Sequence, residues 1–238
     1  MSSAKSWRAE AVFFFLAAQA LCFFLGSAII ALLHKTHVNG FKDLDGFGPI
    51  LVATLSFQGA TWPLMGLFFW MQNIRWRDGL GLTKKSLALA PLLAVGALIL
   101  LLPVTWVLQS ASVRLMEKFH WKPQIEEAVS LFTGAVSRPE QIYLGIFAVI
   151  LAPVAEEFIF RGVLFTFVRQ LGLRKTAWFG VSLLFALIHG DAAIFIPLFG
   201  LALVLTWLYE ITDSLLAPIF THALFNAANL ILLAYAPN

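Results

Sequence analysis

The chain has 238 residues, 60% of them hydrophobic and 12% charged, with a mean hydropathy of +0.85; a soluble domain carries about 25% charge, so that class is excluded. The formal net charge of +3 rests on 16 basic and 13 acidic side chains, and no basic block of the kind that grips nucleic acid is present. One cysteine, Cys22, permits neither an internal disulfide nor a cysteine-based metal site.

The opening MSSAKSWRAE places Lys5 and Arg8 before an apolar run over 11–33. That run exceeds the roughly 7–15 apolar residues of a signal peptide, and no small-x-small cleavage site ends it. Cys22 follows Leu21, where a lipoprotein signal needs a small residue. The segment therefore reads as a retained first span. Further apolar stretches follow at about 47–71, 86–110, 141–168, 176–190, 192–210 and 214–235. Most reach the roughly 20 residues that cross hydrocarbon as a helix. A barrel reading fails, because the runs are too long and lack period-two alternation. The fold expected is an all-α polytopic transmembrane helix bundle of about seven to eight helices, a single integral membrane domain over 1–238. HGDAA separates the fifth and sixth stretches, which predicts a tight hairpin or one broken element. An eighth span has room there or in the amphipathic loop 111–140, whose charges balance and which reads as interfacial with some helix.

Loop charges set the topology. The loop after the second stretch, NIRWRDGLGLTKK, has four basic residues and one acid, and RQLGLRKT after the fourth has three basic residues and none. The first loop, HKTHVNGFKDLDG, has two lysines and two aspartates. The positive-inside rule then expects a multi-pass protein of the cell membrane with a cytoplasmic N-terminus. Trp7, Trp70, Trp106, Trp178 and Trp207 fall near span ends, where interfacial anchors are expected.

Three charges break the fourth stretch, in VAEEFIFRGVLF. Unpaired, Glu156, Glu157 and Arg161 would together cost roughly 8–10 kcal/mol on insertion scales. Glu157 and Arg161 are four residues apart and share a helix face, so they can neutralise each other. Glu156 points about 100° away and has no such partner, since Phe160 stands at its i+4 position. It needs a partner on another helix. Pro153, three residues earlier, weakens the local ladder.

Other polar residues interrupt the later stretches: His189 in FALIHG, and His222, Asn226 and Asn229 on one face of FTHALFNAAN. Counting about 1.5 Å of rise per residue from the expected cytoplasmic span ends puts Glu156 about 20 Å deep, His189 about 21 Å, His222 about 14 Å and Asn226 about 20 Å. One carboxylate, two imidazoles and one amide are thus expected in one slab. Such a set supports two chemistries. Glu156, His189 and His222 could ligate zinc and a water. Alternatively, a desolvated carboxylate acts as general base on water without metal, with a histidine sharing the proton and hydrogen-bond donors facing an oxyanion. Both lead to hydrolysis of a carbonyl compound, most plausibly a peptide bond. No HExxH, GxSG or GxGD motif occurs.

EEFIFR fits EExxxR, FALIH fits FxxxH and HALFN fits HxxxN, in that order. This ordered set resembles the CPBP family of intramembrane proteases (CAAX proteases and bacteriocin-processing enzymes), also called the Abi family, over residues 141–235. LGL after the second stretch is similar too. The resemblance implies a CAAX-protease-like catalytic core there. By position it implies that Glu156 activates water with help from His189, that His222 and Asn226 stabilise the oxyanion, and that Glu157 and Arg161 hold the site together. It implies either a metalloprotease or a glutamate-dependent enzyme; the asparagine and the missing HExxH favour no metal. The expected partners are membrane lipids and a hydrophobic or lipidated peptide substrate. Two rivals differ in class: an immunity or scaffold protein that binds peptide without cutting it, and a small transporter using Glu156 and the histidines as a proton relay. The transporter would carry inverted repeats, and the sequence shows none.

Overall fold

The computed structural model describes residues 6–44, 46–121 and 137–235, with side chains to residue 232. Seven main helices account for nearly all of them: α1 Ala9–Lys35, α2 Phe47–Met71, α3 Lys84–Lys118, α4 Arg138–Gln170, α5 Arg174–Ile188, α6 Ala192–Thr212 and α7 Leu216–Tyr235. A single turn, Trp76–Gly79, joins α2 to α3. No strand occurs among the described residues. Five stretches are long and apolar enough to cross a membrane, one of them joining the Trp76 turn to α3, and the molecule is a multi-pass helical bundle.

Local chemistry explains where helices begin. Thr83 caps α3 by accepting from the Ser86 amide, while Ser86 Oγ accepts from the Thr83 amide at 2.8 Å. Ser137 and Glu140 form the same reciprocal box at the head of α4, with Pro139 in the first turn. α3 runs on to Lys118, so the first part of the stretch expected as an interfacial loop with some helix is helical. Residues 122–136 of that stretch lie outside the described residues, and the possible eighth span within it with them.

HGDAA does make a tight hairpin. Gly190 takes a positive φ of 70°, and Asp191 caps α6 by accepting from the Ala193 amide at 2.7 Å. No span hides there. α5 has only 15 residues, about 22 Å of helix, which is less than the roughly 30 Å of bilayer hydrocarbon. Its C-cap, His189, therefore stands about 22 Å from the basic start of the helix.

The helix ends gather on one basic face. The Leu215 amide donates to Leu80 O at 3.0 Å, Arg8 donates to Gln72 and to Met71 O, and Arg174 grips Glu210 at 2.8 Å. Behind this face an edge-to-face cluster of Trp7, Phe15, Phe68 and Phe158 has ring centroids 5.2–5.8 Å apart. Trp70 and Trp207 are exposed, as interfacial anchors should be. Trp7 is not an anchor: it is 3% exposed, and its indole is turned inward. Trp178 donates inward to Glu210 at 2.7 Å.

Candidate active site

The site is built on α4, the one helix interrupted twice. π-helical segments at Phe147–Leu151 and Phe158–Phe165 flank a six-residue α-helical section, Ala152–Glu157. Pro153 contributes to the first interruption, since it has no N–H to give the carbonyl four residues back. A π segment loosens the i to i+4 ladder and leaves carbonyls for other donors. Side chains take them. Asn226 Nδ2 of α7 donates to Ala148 O at 2.9 Å, Trp7 Nε1 donates to Gly162 O at 2.7 Å, and Thr166 Oγ1 donates to Arg161 O at 2.9 Å.

The α-helical section carries both glutamates. Glu157 and Arg161 are entirely buried, and Arg161 Nη1 donates to Glu157 Oε1 at 2.9 Å. This is the i, i+4 pair that the spacing predicts. Arg161 Nη2 also donates to Ala202 O on α6 at 2.9 Å, and its guanidinium stands 4.9 Å from the Phe185 ring of α5. The pair thus ties three helices together.

The same Glu157 Oε1 lies 2.9 Å from His222 Nδ1. A carboxylate paired with arginine accepts, so His222 donates from Nδ1. In the neutral ring Nε2 then carries the lone pair. That nitrogen faces Glu156 Oε2 at 3.7 Å, beyond a direct hydrogen bond. Glu156 is 13% exposed at its side chain, compared with zero for Glu157. It makes no hydrogen bond among the described residues.

His189 stands beyond Phe185. Its Nδ1 donates to Phe185 O at 2.7 Å, and its ring lies 4.8 Å from the Phe185 ring, which is itself 5.7 Å from the His222 ring. Both imidazoles therefore have Nδ1 engaged and Nε2 available. The geometry brings Glu156 and His222 face to face and places His189 one aromatic ring away, with no described carboxylate within 4.0 Å of it. Asn226 lies a turn further along α7, one of its N–H groups spent on Ala148 O. Asn229 bonds its own helix and accepts from Trp106 Nε1 of α3 at 3.4 Å.

Glu156, His189 and His222 do not stand as a metal-ligand set: among the described residues no three His, Cys, Asp or Glu side chains gather to hold an ion. The sequence reading confined Glu157 to its local arginine pair and missed its bond to His222. The adjacency of two glutamates in an apolar run was the available signal, since each needs a partner. Nothing in the sequence marked the Trp7 indole N–H, which donates to Gly162 O, or the Ala202 carbonyl as parts of the site.

Residues 138–228 match the family model described as Rce1-like, Type II CAAX prenyl endopeptidase. The match runs from the head of α4 into α7 and includes Glu156, Glu157, Arg161, His189, His222 and Asn226. No curated protein and no solved structure matches the chain.

Proposed function

We propose that this protein is an intramembrane endopeptidase that hydrolyses a peptide bond in a hydrophobic or lipidated peptide, with Glu156 as general base. The observation that carries the reading is Glu156 Oε2 facing His222 Nε2 at 3.7 Å, while Nδ1 of that ring is fixed on the buried Glu157. A water lying to one side of the pair can hydrogen-bond to both groups. The Rce1-like match over 138–228 supports a CAAX-type endopeptidase in general. The catalytic core is 141–235 within one integral membrane domain, in the cell membrane with the N-terminus cytoplasmic.

The proposed reaction begins with Glu156 taking a proton from water. The water oxygen adds to the carbonyl carbon of the substrate, and the carbonyl electron pair moves onto oxygen. The second N–H of Asn226 stabilises that oxyanion. His222 joins it when Nε2 carries a proton, the form in which both ring nitrogens donate. His189, with Nδ1 held by Phe185 O, assists through Nε2. The C–N bond then breaks as the proton on Glu156 passes to the leaving nitrogen. Arg161 and Glu157 hold His222 and do not touch substrate. No step in this proposal is routed through a metal.

The test uses purified protein in lipid and two fluorogenic peptides, one with a farnesylated cysteine near its C-terminus and one with an unmodified hydrophobic end. Glu156→Gln keeps the side-chain shape and removes the base. Cleavage should fall by about 10²–10⁴, the usual contribution of a general base. Unchanged cleavage would end this mechanism. Binding without cleavage by the wild type would establish the scaffold reading instead.

A further inference from the structure

We infer that Trp7, far outside the matched segment, is a positioning residue for the site: its indole N–H pins the second π segment of α4 and so sets the rotation of Glu157 and Arg161. The role in catalysis rests on the hydrolase reading above; the pin itself does not.

The indole is held from several sides before it reaches α4. The Trp7 amide donates to Gln170 Oε1 at 2.6 Å, and Gln170 Nε2 donates back to Trp7 O at 2.8 Å. The ring meets Phe68 edge-to-face at 5.2 Å and is 3% exposed. Thus oriented, Nε1 donates to Gly162 O at 2.7 Å, a buried bond between residues 155 positions apart. Gly162 also leaves room for its neighbours, since a Cβ there would stand 3.1 Å from Phe158 Cδ2 and 3.3 Å from Leu215 Cδ1.

Gly162 follows Arg161 directly, and the bond falls inside Phe158–Phe165. A π segment is an inserted residue in an α-helical ladder and can sit at neighbouring registers. Moving it by one residue turns the section beside it by about 100°. Glu157 would then leave His222, and Glu156 would lose the ring it faces. Two groups hold the register at this point: Thr166 Oγ1 on Arg161 O, and Trp7 Nε1 on Gly162 O. Thr166 belongs to α4 itself and moves with it. Trp7 comes from outside the helix and fixes the bulge relative to the bundle. The chain of contacts runs from Trp7 through Gly162 and Arg161 to Glu157, His222 and finally Glu156.

Trp7→Phe keeps an aromatic ring and removes the donor. In lipid, its kcat on the better of the two fluorogenic peptides should fall about tenfold while KM stays within twofold. Amide hydrogen exchange over 158–166 should accelerate, with α6 unchanged. Gln170→Ala, which frees the Trp7 main chain, should shift both readouts the same way and less. Unchanged kcat with unchanged exchange overturns the inference. So does acceleration spread evenly over all helices, which is general destabilisation. If the wild type cleaves neither peptide, the hydrolase reading fails, and the exchange over 158–166 alone decides whether Trp7 is the pin.

Discussion

α3 and α4 are two long apolar helices that solve opposite problems. α3 is 35 residues of uninterrupted α-helix despite Pro91 and Pro103. Leu92, Leu100 and Val107 are each at least 70% exposed on its outer side. α4 spans 33 residues, is interrupted by two π segments, and carries a glutamate and an arginine with no exposure at all. In the most apolar window of each stretch, 17% of residues are buried for Trp76–Lys118 and 39% for Arg138–Gln170. A helix that faces lipid needs little besides its own ladder. A helix that carries charge must place each polar atom against a donor or acceptor from elsewhere, because an unsatisfied one in hydrocarbon costs several kcal/mol. α4 obtains most of those partners from Trp7, Ala202, His222 and Asn226, while Glu157 Oε2 and Arg161 Nε find none among the described residues.

The contrast can be broken most sharply at Glu156→Gln, for which cleavage should drop by about 10²–10⁴ with the protein still folded, since its carboxyl holds no hydrogen bond. A melting temperature that collapsed with activity would show Glu156 to be structural like its neighbour. Arg161→Met comes next. It strands the buried Glu157 carboxylate, and removing one partner of a buried pair costs about 3–5 kcal/mol, so thermal unfolding in detergent should move far down or the protein should fail to purify. A well-folded Arg161→Met protein would show that the pair is dispensable. Asn226→Ala removes the donor to Ala148 O and should cost about 1–3 kcal/mol of stability, together with a fall in kcat. Stability lost with kcat intact would make Asn226 a helix tie alone. Leu100→Ala on α3 is the smallest change: within about 0.5 kcal/mol in the same unfolding assay, because the side chain faces lipid in the folded state. Finally, chelator treatment should leave cleavage unaltered; activity lost and then restored by zinc would reverse the metal-free mechanism.

The helices were readable in the sequence with little error, because their apolar lengths answer to bilayer thickness. The observed ends differ from the expected ones by a few residues, except at α3. There Arg114, Glu117 and Lys118 read as loop, yet they close a helix whose charged end faces outward. In the site, the Glu157–Arg161 pair was legible from spacing alone, and Glu156 and His222 were expected in one slab, though at depths about 6 Å apart. The depth estimate also predicted that Asn226 would lie level with Glu156. The structure anchors one N–H of that amide on Ala148 O of α4. Trp7 was misplaced because a tryptophan before a span looks the same in sequence whether its ring turns to lipid or inward.

The order of amino acids was sufficient to specify a membrane bundle, the seven main helices of the described residues, and which side chains would be too costly to leave unpaired, since hydrophobic length and charge burial are summed along the chain. Which partners those side chains found was decided only by the packed structure. His222 on Glu157, Asn226 on Ala148 and Trp7 on Gly162 join residues 65, 78 and 155 positions apart. Such bonds depend on where helices cross and how each is rotated, and a π segment changes that rotation without leaving a distinct mark in the sequence.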